Sequence, residues 1–155
     1  MVRTDREAIH ELKYEYHRSL DADETDAMLS VFTDDAVIHH DGAANSLHGI
    51  QEYQEWIEDV TSGRFRSTHM AMNPIVTLDG DEATGQWQYF VVNDRGADLS
   101  FGQGSYDDSY QRTGDGWRIA SSTIYRNYSI AVDPESVTRD RPAAFFEARP
   151  YLEQA

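Results

Sequence analysis

From Thr68 onward the chain reads as four long extended stretches separated by short turn signals. Thr68 to Leu78 stops at Asp79-Gly80-Asp81, and Glu82 to Asn93 turns at Asp94-Arg95-Gly96. Leu99 to Arg112 turns at Thr113-Gly114-Asp115-Gly116, and Trp117 to Ile130 completes the series. Stretches this long, joined by turns this short, pair antiparallel with their neighbours. The sheet they form has a face that must be covered. The first half of the chain supplies the cover. Thr4 followed by Glu7 fits a capping box, and Ile9, Leu12, Tyr16 and Leu20 recur at helical spacing to about Leu20. Ala27, Met28, Val31 and Phe32 predict a short second helix closed by Asp34-Asp35. Ala36 to His40 predicts a strand ended by Asp41-Gly42. Gly49 to Val60 predicts a third helix with Ile50, Tyr53, Trp56, Ile57 and Val60 on one face. Helices first, then antiparallel strands, predict an α+β fold. The helices pack on the concave face of a curved sheet that closes over them like a cone, and such a cone can hold a pocket. Residues 1–130 form this domain. Residues 131–155, with Pro134, Pro142 and Pro150, read as an irregular C-terminal extension that packs on the same domain or on a neighbouring subunit.

Composition removes several classes of function. The chain has no cysteine, which excludes disulfide scaffolds, zinc-thiolate sites, iron–sulfur clusters and thiol catalysis. Lys+Arg is 13 against Asp+Glu 28, a formal net charge of -15. A field of that sign repels phosphate backbones and anionic lipid, so neither nucleic acid nor membrane is an expected partner. No apolar stretch has the length of a membrane span, and Met1 to Glu7 has no signal-peptide core, so a cytoplasmic protein is expected. The acids are spread along the whole chain, and Lys13 is the only lysine. Such a surface suits a high-salt, halophilic cytoplasm, where repulsion is screened; an ordinary acidic protein from a GC-rich genome reads the same way. His39-His40-Asp41 is not expected to bind metal, because adjacent strand residues face opposite ways. A Gly-rich phosphate loop, a Gly-x-Ser-x-Gly elbow and a dinucleotide fingerprint are all absent, and no cofactor is expected.

The stretch Tyr16-His17-Arg18-Ser19-Leu20-Asp21-Ala22-Asp23-Glu24, followed by Leu29-Ser30-Val31-Phe32-Thr33-Asp34-Asp35-Ala36-Val37, resembles the opening of SnoaL-like domains in the nuclear-transport-factor-2-like superfamily. Later signals agree in order: Gly49, Thr68-His69, Leu78-Asp79-Gly80-Asp81-Glu82-Ala83, Gly104-Ser105-Tyr106-Asp107-Asp108 and Asp115-Gly116-Trp117-Arg118-Ile119. The resemblance covers residues 5 to about 130. It implies a cone-shaped α+β barrel that forms homodimers or homotrimers. The superfamily spans dehydratases, dehydrochlorinases, isomerases, polyketide cyclases, dioxygenase small subunits and carriers, so function rests on the site.

Asp21 and His69 stand 48 positions apart, a spacing that resembles the Asp–His dyad of the scytalone dehydratase and dehydrochlorinase branch. There the histidine is a general base. A neutral imidazole is the right base near pH 7, and a carboxylate on its far nitrogen fixes the tautomer and stabilises the imidazolium. The bland reading is a strand histidine satisfied by a carbonyl and a helix-end carboxylate. Tyr16 is similar to a tyrosine that polarises a carbonyl or acts as an acid in the bile-acid and scytalone dehydratase branches; otherwise it is a core tyrosine with its hydroxyl at a wet rim. In the dehydrochlorinase a lysine stands at the position of Tyr16 and an arginine at that of Ser122. Their absence argues against dehydrochlorination and leaves dehydration, isomerisation or cyclisation. Strand alternation, phased by the resemblance, turns Ile38, His40, Gln88, Phe90, Val92, Tyr106, Ser122, Ile124 and Arg126 inward to bind a small molecule. The opposite phase turns in Trp87, Tyr89 and Val91. Trp56, Phe65 and Met72 are expected at the mouth. An arginine inside a cone needs an anion, a substrate carboxylate or an acid such as Asp21; on the surface Arg126 needs none. Two functions fit: a lyase or isomerase with His69, Asp21 and Tyr16 as machinery, or a non-catalytic ligand-binding or scaffolding module of the same fold.

Overall fold

The computed structural model describes residues 3–40, 45–61, 66–95, 98–133 and 136. Helix α1 (Asp5–Asp21) opens on the expected box: the Thr4 hydroxyl accepts from the Glu7 N–H, and the Glu7 carboxylate accepts from the Thr4 N–H. Its buried residues include three polar ones, Lys13, His17 and Ser19. Helix α2 (Thr25–Leu29) is shorter than the sequence predicts, and strand β1 (Phe32–His40) begins four residues earlier than Ala36. Asp34 and Asp35 read as a helix stop, yet both lie in β1. There the register against β6 slips between Phe32 and Val37, and both carboxylates reach solvent. A short strand β2 (Asn45–His48), not anticipated from the sequence, returns antiparallel along β1. Helix α3 (Ile50–Thr61) follows, and the four long strands arrive as predicted: β3 (Arg66–Asp79), β4 (Glu82–Asp94), β5 (Leu99–Thr113) and β6 (Gly116–Val132).

The sheet order is β2-β1-β6-β5-β4-β3. Every pairing is antiparallel except β1 with β6, which is parallel. The three helices pack on one face of this curved sheet, an α+β architecture that places the helix stripe against strand side chains at period two. Ile9, Met28, Tyr53, Trp87, Tyr110 and Ile119 are all at most 1% exposed. Burial of each aliphatic side chain there contributes about 1.5–3 kcal/mol. Gly80 takes the left-handed conformation (φ 62°) at the β3–β4 turn. Gly104 has a steric reason to be glycine: a Cβ there would lie 1.9 Å from the Tyr125 carbonyl oxygen and 2.6 Å from the Tyr89 ring. It marks an irregularity in the β5–β6 register between Gln103 and Gly104. No helix among the described residues is long and apolar enough to cross a membrane. Phe65 and nearly all of the extension after Asp133 lie outside the described residues.

Candidate active site

Helix α1 carries Lys13, His17 and Asp21 at i, i+4 and i+8, so all three point from one helix face toward the sheet. Asp21, at the helix end, meets the start of β3. Its Oδ1 lies 2.6 Å from His69 Nδ1 and accepts the Ser67 hydroxyl at 2.7 Å, while Oδ2 accepts the His69 backbone N–H at 2.6 Å. One carboxylate therefore holds both the ring and the backbone of the same histidine. Burial pushes the Asp21 carboxyl up, but the bonds from His69 and Ser67 outweigh it, and its pKa falls below the usual carboxylate value. An ionised Asp21 keeps the proton of neutral His69 on Nδ1, which leaves the Nε2 lone pair free; Nε2 makes no hydrogen bond among the described residues. The two side chains remain 14% and 20% exposed, so the dyad opens to solvent.

Deeper in the cone the polar groups are sealed. The Lys13 Nζ lies 2.9 Å from Asp108 Oδ2, with neither side chain exposed at all. Ser122 donates to Asp108 Oδ1 at 2.6 Å and Tyr110 to Oδ2 at 2.7 Å, and the Trp87 indole N–H donates in turn to the Tyr110 oxygen. Burial pushes the Lys13 ammonium below its ordinary pKa, and Asp108 pulls it back. The ammonium also sits 3.5 Å over the Tyr106 ring. The Tyr106 hydroxyl reaches His17 Nε2 at 3.1 Å, and the His17 ring centroid lies 5.3 Å from that of His69. Burial, then the charge of Lys13, then His69 hold the His17 pKa well below the ordinary imidazole value, so His17 is neutral at pH 7.

A family model described as a SnoaL-like domain matches residues 2–123. The chain belongs to the SnoaL-like family. An uncharacterized protein of Mycobacterium tuberculosis is 32% identical over 120 residues, covering 75% of this chain and 81% of the relative. A hexachlorocyclohexane dehydrochlorinase superposes with a TM-score of 0.78 at 16% identity, covering 89% of this chain and 94% of that one. The β subunit of a benzoate 1,2-dioxygenase from Burkholderia mallei gives 0.72 at 21% identity, covering 82% and 93%. At these identities the two structures show a shared fold, with an enzyme in one and a subunit in the other.

Within this SnoaL-like cone the structure brings Asp21 and His69 together and buries Ile38, Tyr106, Ser122 and Ile124 inside. Several expected lining residues are elsewhere. On β4 the inward side chains are Trp87, Tyr89 and Val91, so Gln88, Phe90 and Val92 face outward. The inward phase of β4 runs Ala83, Gly85, Trp87, Tyr89 and Val91, whereas the outward one carries Glu82, Thr84, Gln86 and Gln88 beside Phe90 and Val92; Trp87 is held inside by its bond to Tyr110. Met72 is 38% exposed on the outer face, paired across the sheet with Gln88. Arg126 pairs with Gly104 in the same phase as Ser122 and Ile124, yet it is exposed, as are all of residues 125–131 at this end of β6. Tyr16 is buried, but its hydroxyl is engaged with that of Tyr53 at 2.7 Å and burial raises its pKa well above the ordinary phenol value. Ser122 is spent on Asp108. The His40 ring lies 4.2 Å from that of Trp56, tilted by 34°, on the α3 side of the cone. Sequence reasoning missed Lys13, His17 and Asp108. The four-residue spacing of Lys13, His17 and Asp21, and the alternation of Tyr106, Asp108 and Tyr110 on β5, were the signals that placed them inside. A surface groove of about 470 Å³ between Thr77, Thr84 and Ser109 shares no residue with the dyad.

Proposed function

We propose that this protein is a cofactor-independent lyase or isomerase acting on a small, largely apolar carbonyl or hydroxylated substrate, with His69 as general base. The observation that carries this reading is the double grip of Asp21 on the ring and backbone of His69. His69 Nε2 takes a proton from substrate carbon, and the electron pair moves toward the carbonyl oxygen. The proton then returns to another carbon in an isomerisation, or leaves with a hydroxyl as water in a dehydration. Asp21 stabilises the imidazolium in between, a contribution of about 10²–10⁴-fold for a positioned base. Substrate reaches the dyad where the His69 and Asp21 side chains are partly exposed. The test is deuterium exchange. Small ketones and β-hydroxy ketones are incubated in D2O, and loss of the carbon-bound proton signal is followed by NMR. Wild type accelerates exchange for at least one of them, and His69→Ala and Asp21→Asn lose that acceleration about 100-fold. Exchange that survives His69→Ala, or none in wild type, overturns the reading.

One observation supports self-association, which a scaffolding module of this fold needs and which an enzyme of the same fold also allows. The outer face of β3–β6 carries Met70, Phe90, Phe101, Tyr125, Tyr128 and Ile130, with Phe90 stacked on Phe101 at 5.9 Å. None of these is charged, on a chain whose residues are 26% charged. An exposed apolar patch of this kind is a site at which a second copy can be buried. Light scattering on wild type and Tyr128→Asp separates the cases: a dimer or trimer that dissociates supports self-association, and a monomeric wild type removes it.

A further inference from the structure

Resting on the reading of His69 as a base, we propose that His17 is a second histidine of the site and binds the substrate oxygen through its Nδ1–H. His17 is 3% exposed, and its Nδ1 is buried without a hydrogen-bond partner among the described residues. A buried, unpaired donor or acceptor costs about 1–3 kcal/mol, and a native fold rarely carries one without a use for it. Its other nitrogen, Nε2, faces the Tyr106 hydroxyl at 3.1 Å. A phenol is the stronger acid of that pair and a neutral imidazole the stronger base, so Tyr106 donates and Nε2 accepts. The ring proton of His17 is thereby placed on Nδ1.

The groups around the ring keep it in that form. Lys13 lies one turn earlier on the same helix, with Asp108 of β5 as its counter-ion; Tyr106 faces the ring from β5 and His69 from β3; Tyr16 packs beside it at 5.1 Å. A second cation beside Lys13 is disfavoured, so His17 does not compete with His69 as a base. What it offers is a neutral N–H donor in a setting of low dielectric, where a hydrogen bond to developing negative charge on oxygen is stronger than in water. The two rings, with centroids 5.3 Å apart, divide the work: His69 acts on carbon and His17 on the attached oxygen. Tyr106 is the positioning residue that sets the tautomer.

The experiment uses ¹⁵N-histidine-labelled protein and para-substituted phenols, from p-cresol to p-nitrophenol, as oxygen probes. Long-range ¹H–¹⁵N spectra are expected to show His17 protonated on Nδ1, with that proton moving further downfield as the phenol becomes more acidic. The amide nitrogen of glutamine falls where Nε2 of histidine does, and that of asparagine falls where Nδ1 does. His17→Gln therefore keeps a contact to Tyr106 and loses the oxygen donor, and phenol binding weakens at least ten-fold. His17→Asn restores most of it. A proton on Nε2, a His17 signal unmoved by every phenol, or wild-type phenol binding in His17→Gln overturns the proposal. If phenols shift His17 while wild type exchanges no carbon-bound proton, the base reading falls and the oxygen site stands. If deuterium exchange runs at the full rate in His17→Gln, the oxygen site falls and the base reading stands.

Discussion

Lys13→Met removes one partner of an ion pair in which neither side chain meets solvent. Methionine matches the lysine stem in shape, so the change is close to a pure loss of charge. Asp108 is then a buried carboxylate without its cation. Breaking such a pair costs about 3–5 kcal/mol. Asp108 keeps two short donors, Ser122 at 2.6 Å and Tyr110 at 2.7 Å, which places the loss near about 3 kcal/mol, the lower end of that range. For a chain of this size that is a fall in Tm of about 6–12 °C. Adding Asp108→Asn removes the stranded charge while an amide oxygen still accepts from Ser122 or Tyr110, so the double variant recovers at least half of the loss. Urea titration with tryptophan fluorescence reads both variants, since Trp87 reports on this network through Tyr110. A loss below 1 kcal/mol in Lys13→Met, or a double variant no more stable than the single one, would refute the view that the pair is a coupled buried charge.

Three further outcomes follow from the geometry. His17 has a folded pKa held well below the ordinary 6.5, so below that pH the unfolded chain takes up a proton that the folded one refuses. Stability present above pH 6.5 is therefore lost as pH falls, by about 1.4 kcal/mol per unit, and His17→Gln loses one proton's worth of that slope in urea titrations run at several pH values. Gly104→Ala drives a Cβ into the Tyr125 carbonyl and the Tyr89 ring; thermal unfolding shows it destabilised by about 1–3 kcal/mol or more, whereas Gly114→Ala, with nothing within 4 Å, is close to neutral. At a net charge of -15, raising KCl from 0.05 to about 1 M screens surface repulsion and raises Tm; a flat or falling Tm removes the case for a salt-adapted surface.

Much of the fold was legible because its signals are local. The capping box, the helical stripe of α1 and the turn residues between the long strands each act over a few residues. The Asp21–His69 spacing was visible through family resemblance. What was not visible depends on tertiary choice. Phe90 and Val92 share the outward phase of β4 with Glu82, Gln86 and Gln88, and the inward phase is held by Trp87 donating to Tyr110 on the neighbouring strand β5. Arg126 follows the inward phase in register as well as on paper, but it stands on the stretch of β6 over residues 125–131 that is exposed on both faces, which alternation alone does not reveal. Lys13 is the only lysine of an acidic chain. It lies wholly inside, so the described surface carries arginine as its long-chain cation. Its partner Asp108 was hidden in an Asp-Asp pair whose alternation sends Asp107 out and Asp108 in.

The central claim is that Asp21 fixes His69 as a base with its lone pair on Nε2. Long-range ¹H–¹⁵N NMR of histidine-labelled protein at pH 7.5 reads this directly. The account predicts a proton on Nδ1, shifted downfield by the 2.6 Å contact with Asp21, and an unprotonated Nε2; in Asp21→Asn that downfield proton is lost. A His69 protonated on Nε2, or a spectrum unchanged by Asp21→Asn, contradicts it.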